Sequence, residues 1–223
     1  MLTRSEIPNY GLINLASIEM VKACIFYTSG RINLHQNDII SSGVNFYYSA
    51  FHNCISIVAL SPEGTFLEKG IIKWKDRFNA PNRHIPCSHD ELITKTKTID
   101  QELARVLTEL KDIREYLSYG PYVCSDHTPH WKPILFTCEI KDIRKKLESY
   151  NSRLSDIFCG TPELINDYLH EDIQKLVFCL WGDQVLKIFK GEMIFNNLIY
   201  EGCKKIWSQI RKHVCLKGGT MRE

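Results

Sequence analysis

The chain is 223 residues long, 44% hydrophobic, and carries a formal net charge of +2. That length and apolar content suffice for a buried core without disulfide or metal staples. The near-balanced charge excludes a bulk attraction to nucleic acid or to an anionic membrane, so any such contact has to come from a local patch.

Residues 8–29 read as a first helix, with Leu12, Leu15, Ala16, Ile18, Ala23 and Ile25 at mixed three- and four-residue spacing and Gly30 as its stop. Asn37 or Asp38 caps a second helix that runs through Leu60 and ends at Pro62-Glu63-Gly64. Ile39, Val44, Phe46, Ala50, Phe51, Ile55 and Val58 make that helix apolar on most sides, which predicts a central position. Residues 61–88, with Pro62, Gly64, Gly70, Pro81 and Pro86, read as a long irregular connection.

Residues 89–118 read as one helix, begun at Ser88 or His89-Asp90 and striped by Ile99, Leu103, Val106, Leu110, Ile113 and Leu117. Residues 120–138 form a loop rich in Tyr, His and Pro. Residues 139–158 are amphipathic, with Ile140, Ile143, Leu147, Tyr150, Leu154 and Ile157 inward. Gly160 closes that helix and Thr161-Pro162-Glu163 opens the next. Helical stretches follow near 162–170, 171–189 and 192–214. In the last of these Ile194, Leu198, Ile206 and Ile210 point inward, and Lys204, Lys205, Arg211 and Lys212 lie on the polar side. Strand-like alternation is scarce. The expected fold class is all-α: an antiparallel bundle over residues 1–160 and a helical C-terminal extension over 161–223.

No apolar run is read as approaching the roughly 20 residues that span a bilayer. The first 20 residues hold an early arginine but no long apolar stretch or cleavage site, unlike a signal peptide. The nine cysteines are odd in number and irregular in spacing, with no CxxC, which suggests free thiols in a reducing compartment. The expectation is a soluble, cytoplasmic protein with no membrane contact.

One segment of the second helix carries chemistry. Asn45 and His52 are seven positions apart, so they lie within about 20° of each other on one helical face, with Tyr48 between them. Asn45, Tyr48 and His52 thus form a polar ridge on an otherwise apolar helix and need partners. Asn45-Phe46-Tyr47-Tyr48-Ser49-Ala50-Phe51-His52 resembles the YYxxFH signature of the HEPN domain family. Gly30-Arg31-Ile32 before it and Arg114-Glu115-Tyr116-Leu117-Ser118-Tyr119-Gly120 after it follow the family's order, with Ser118 where aspartate is usual.

The resemblance implies a subunit of a prokaryotic defence or toxin–antitoxin system. Such a subunit acts as a homodimer or as part of a larger defence complex. The resemblance also implies a metal-independent ribonuclease as the alternative, with His52 as acid/base, Asn45 and Tyr48 beside it, and RNA as substrate. Asn45 stands where the family pattern has arginine, so a phosphate-binding cation would have to come from Arg31 or Arg114. Arg114 and Tyr119 are also suited to pin the end of the third helix to the bundle. No cofactor is implied.

Two further clusters carry zinc-type ligands: His84, Cys87 and His89, and Cys124, His127 and His130. An intact helix of roughly 28 residues between them would hold them about 40 Å apart, so no metal site is expected. The aromatic segment from Tyr116 to Trp131 suits a protein interface better than nucleic-acid stacking. The basic C-terminal run, including His213, Lys217 and Arg222, reads as a solvated helix face.

Overall fold

The computed structural model describes residues 10–64, 67, 88–119, 133–192 and 197–216. They are all-α, with no strand among them. The helices are α1 (Tyr10–His35), α2 (Ile39–Leu60), α3 (His89–Lys97), α4 (Gln101–Tyr119), α5 (Pro133–Tyr168), α6 (Asp172–Glu192) and α7 (Asn197–Leu216). A 3-10 turn at Pro62–Gly64 ends α2, as its proline and glycine predict.

α1 and α2 form an antiparallel hairpin at the centre. α3, α4 and α5 pack on α2, while α6 and α7 pack on α1. The turn between the central pair places Asn37 at φ 64°, and the Asp38 carboxylate accepts from Ser41 N at 3.0 Å. The pair is locked by three serines seven residues apart. Ser42, Ser49 and Ser56 on α2 donate to the backbone oxygens of Gly30, Ala23 and Ala16 on α1, at 3.0, 3.0 and 2.7 Å. Each step of seven down α2 is matched by seven up α1, so one register satisfies three buried hydroxyls.

Four helix boundaries differ from expectation. Gly30 does not stop α1. It lies inside the helix, where a Cβ would sit 2.6 Å from the Phe46 ring, so its role is to let α2 approach closely. The expected helix over 89–118 breaks at Thr98–Asp100. Ser88 caps α3 through Glu91 N (3.2 Å), Thr98 Oγ1 donates back to Lys95 O (2.8 Å), and Asp100 caps α4 through Leu103 N (2.9 Å). The intact helix on which the expected separation of about 40 Å between the two zinc-type clusters rests is therefore not present.

α5 starts at Pro133, earlier than expected, and runs through both Gly160 and Pro162 to Tyr168. Thr161 Oγ1 donates to Ile157 O at 2.8 Å on the turn where the proline supplies no N–H. The expected inward stripes on α4 and α5 hold, with Leu103, Val106, Leu110, Leu147, Tyr150 and Leu154 buried. Ile140 and Ile194 lie outside the residues whose side chains are described. Leu198, expected inward on α7, is 69% exposed.

Side chains of α6 and α7 join the same hydrophobic cluster as α1 and α2. Gly182 sits beneath Trp207, whose Nε1 donates to Asp183 Oδ1 at 2.8 Å. Cys179 and Cys215 are paired between α6 and α7, the one exception among the described cysteines to the reading of free thiols. Outside that pair Cys24, Cys54 and Cys203 are buried, and Cys159 is exposed. By length and composition α1 is apolar enough to cross a membrane, contrary to the expectation that no run approaches that length. Within the fold 67% of that stretch is buried, as in a core helix.

Candidate functional site

The polar ridge of α2 is where the sequence puts it. Asn45, Tyr48 and His52 are half-buried along one stripe, while Phe46, Tyr47, Ala50 and Phe51 around them are buried. A matching stripe of α1, Leu15, Ile18, Lys22 and Phe26, is half-buried beside it. Phe26 joins the two stripes. Its ring stacks on His52 at 5.2 Å and 11° and meets Tyr48 at 5.4 Å.

The centre of this face is a buried carboxylate that the sequence reading did not select. Glu19 Oε2 lies 2.5 Å from His52 Nδ1, and Glu19 Oε1 lies 2.7 Å from Lys22 Nζ. The side chains of Glu19 and His52 are 8% and 15% exposed, so this dyad is almost dry. Burial pushes the Glu19 carboxyl up, but the hydrogen bond and charge of His52, then Lys22, outweigh it and hold the pKa below its ordinary value. An ionised carboxylate only accepts, so Nδ1 of His52 carries the proton and donates it to Glu19. In the neutral ring this leaves the lone pair on Nε2. A signal for Glu19 existed: a lone carboxylate inside an apolar helix has to be paired.

The arginines considered for the site are held elsewhere. Arg31 is nine residues beyond Lys22, about 180° round α1, and its guanidinium lies over the Tyr27 ring at 5.6 Å. Arg114 on α4 lies over the Tyr47 ring at 4.9 Å, so it pins α4 to α2. Tyr119 ends α4, and its side chain lies outside the described residues. The cation beside His52 is Lys22, which reaches the same carboxylate.

A second polar contact sits on the other side of α2. Tyr47 Oη lies 2.5 Å from His89 Nδ1. Burial pushes the Tyr47 phenol well above its ordinary value, so it stays protonated and donates. Burial, then the charges of Arg114 and Lys111, lower the His89 pKa, which keeps the ring a neutral acceptor. His89 is thus a structural partner of α2. The other expected ligands, His84, Cys87, Cys124, His127 and His130, lie outside the described residues. Among the described residues no group of three or more His, Cys, Asp or Glu could hold a metal.

A third polar cluster ties α4 to α5. Arg153 bridges Glu102 at 2.9 Å and Glu109 at 2.8 Å, and Tyr150 donates to Glu109 at 2.8 Å. Lys204, Lys205, Arg211 and Lys212 of the basic run are exposed, and Arg211 pairs with Asp183 at 3.1 Å. Lys217 and Arg222 lie outside the described residues.

No protein-family model matches this chain, and no match exists for it among curated proteins or solved structures.

Proposed function

We propose that this chain is a HEPN-like cytoplasmic subunit of a prokaryotic defence or toxin–antitoxin system, and that it acts by docking a larger effector on the α1/α2 face. The carrying observation is the composition of that face. Leu15, Ile18, Phe26 and Tyr48 are half-buried around one nearly dry polar centre, Glu19–Lys22–His52. Aromatic and aliphatic side chains around a desolvated polar pair are what the core of a protein interface needs. The order of the YYxxFH-like helix and its flanking segments supports the family reading.

The test is co-purification with the product of a neighbouring gene. The wild-type chain retains it, and Ile18→Glu, which places a charge at a half-buried position on that face, releases it while the circular dichroism spectrum stays unchanged. Equal retention by both chains contradicts docking at this face.

A second reading is favoured by the Glu19–His52 contact. A carboxylate that holds Nδ1 leaves Nε2 available to move a proton, which is the arrangement of a histidine acid/base in a metal-independent ribonuclease. Lys22 would then stand in for the family's arginine as the charge near a phosphate. In this reading His52→Ala abolishes RNA cleavage and relieves any toxicity of expression.

A further inference from the structure

We propose that the outer face of α6 binds a second copy of this chain, with the two α6 helices packed antiparallel. This concerns a different surface from the α1/α2 face and stands whether or not that face docks an effector.

α6 is apolar on two faces. Phe178, Cys179, Val185 and Leu186 are buried against the bundle. On the opposite side Ile173, Leu176, Leu180, Trp181 and Ile188 are 49, 46, 48, 45 and 61% exposed. Their spacing of three, four, one and seven keeps them on one stripe along the 21-residue helix. Among the described residues the fold covers only one of these faces, and the other, apolar but for Gln184 and Lys187, stays exposed. Burying the five exposed side chains on two copies removes on the order of 1,000 Å² from water before any polar rim is counted, the size at which specific interfaces begin.

The charges on α6 select the partner and its direction. Glu171 and Asp172 stand at its N-terminal end, and Lys187 and Lys190 stand at its C-terminal end. Lys190 also lies over the Tyr200 ring at 5.4 Å. Parallel packing of two copies would set lysine against lysine and carboxylate against carboxylate. Antiparallel packing centred between Leu180 and Trp181 sets Ile173 against Ile188 of the second copy and Asp172 beside its Lys190. It also opposes the helix dipoles. The same helix therefore supplies both halves of a self-complementary contact, as a two-fold interface requires.

Sedimentation equilibrium of the full chain tests this. The wild type is expected to run as a dimer. Leu180→Glu, at a position already exposed in the single chain, is expected to run as a monomer with an unchanged circular dichroism spectrum. Lys187→Glu with Lys190→Glu raises the dimer dissociation constant by about tenfold. Adding Glu171→Lys and Asp172→Lys to that variant restores the dimer. A wild type that is monomeric at the highest attainable concentration overturns the proposal, as does a dimer that Leu180→Glu leaves intact. A four-residue swap that fails to restore association overturns the antiparallel register.

Discussion

Glu19 Oε2 and His52 Nδ1 stand 2.5 Å apart across 33 positions of sequence, at the point where α1 crosses the polar ridge of α2. Replacing Glu19 by Gln keeps the shape and removes the charge. It is expected to lower stability by about 1.5–3 kcal/mol at neutral pH, the range for a hydrogen bond to a charged buried group. The sign with pH follows from the lowered Glu19 pKa. Its stabilisation is present above the ordinary value of 4.5 and is lost as pH falls through the folded value. Urea unfolding of both chains across that range should therefore show the two stabilities converging in acid. A gap that is constant with pH would remove the charge from the explanation.

Tyr47 and His89 give a second pH-dependent contact. The folded pKa of His89 lies below its ordinary 6.5, so the contact stabilises above that value and is lost as pH falls through the folded one. His89→Gln is expected to flatten the stability profile on the acid side of 6.5. Tyr47→Phe removes the donor and is expected to cost about 1 kcal/mol at neutral pH. Both are read from denaturant midpoints in a pH series.

The close approach of α1 and α2 rests on Gly30 beneath Phe46. Gly30→Ala puts a methyl group into the ring and is expected to destabilise by about 1–3 kcal/mol, despite alanine's better helix propensity. Ser49→Val overfills the same seam and removes the bond to Ala23 O, so a loss of similar size is expected. Thermal unfolding of the two variants measures this directly. A rise in melting temperature for Gly30→Ala would show that the helices have room to separate.

The Cys179–Cys215 disulfide closes a loop between positions 36 apart in sequence. Chain-entropy reasoning gives such a crosslink about 3–4 kcal/mol of stabilisation at most. Reductant is expected to lower the melting temperature of the wild type and to leave a Cys179→Ala, Cys215→Ala chain unmoved. Equal melting with and without reductant contradicts a stabilising bond.

Much of the architecture was legible in the sequence because amphipathic stripes are local. The inward faces of α4 and α5 and the central place of α2 follow from spacing alone. The helix ends were harder. Gly30 and Pro162 are breakers by propensity, yet tertiary packing carries both helices through them. The break after α3 was written in Thr98 and Asp100, whose side chains compete with helical hydrogen bonds, but a strong apolar stripe on both sides masked it.

The site divides the same way. Asn45, Tyr48 and His52 share one helix and were legible together. Glu19, which also holds Lys22, reaches His52 only because α1 and α2 pair in one register, set by serines seven residues apart. The disulfide likewise joins two helices whose packing no spacing rule fixes.

The proposal to test first is that this chain acts by docking a partner at the α1/α2 face, against the second reading of a ribonuclease centred on His52. The most direct measurement is incubation of a mixed RNA pool with purified wild-type and His52→Ala protein in the presence of EDTA. The docking account predicts intact RNA with both proteins. Cleavage by the wild type that His52→Ala abolishes would contradict it and establish the Glu19–His52 pair as the acid/base centre of a ribonuclease.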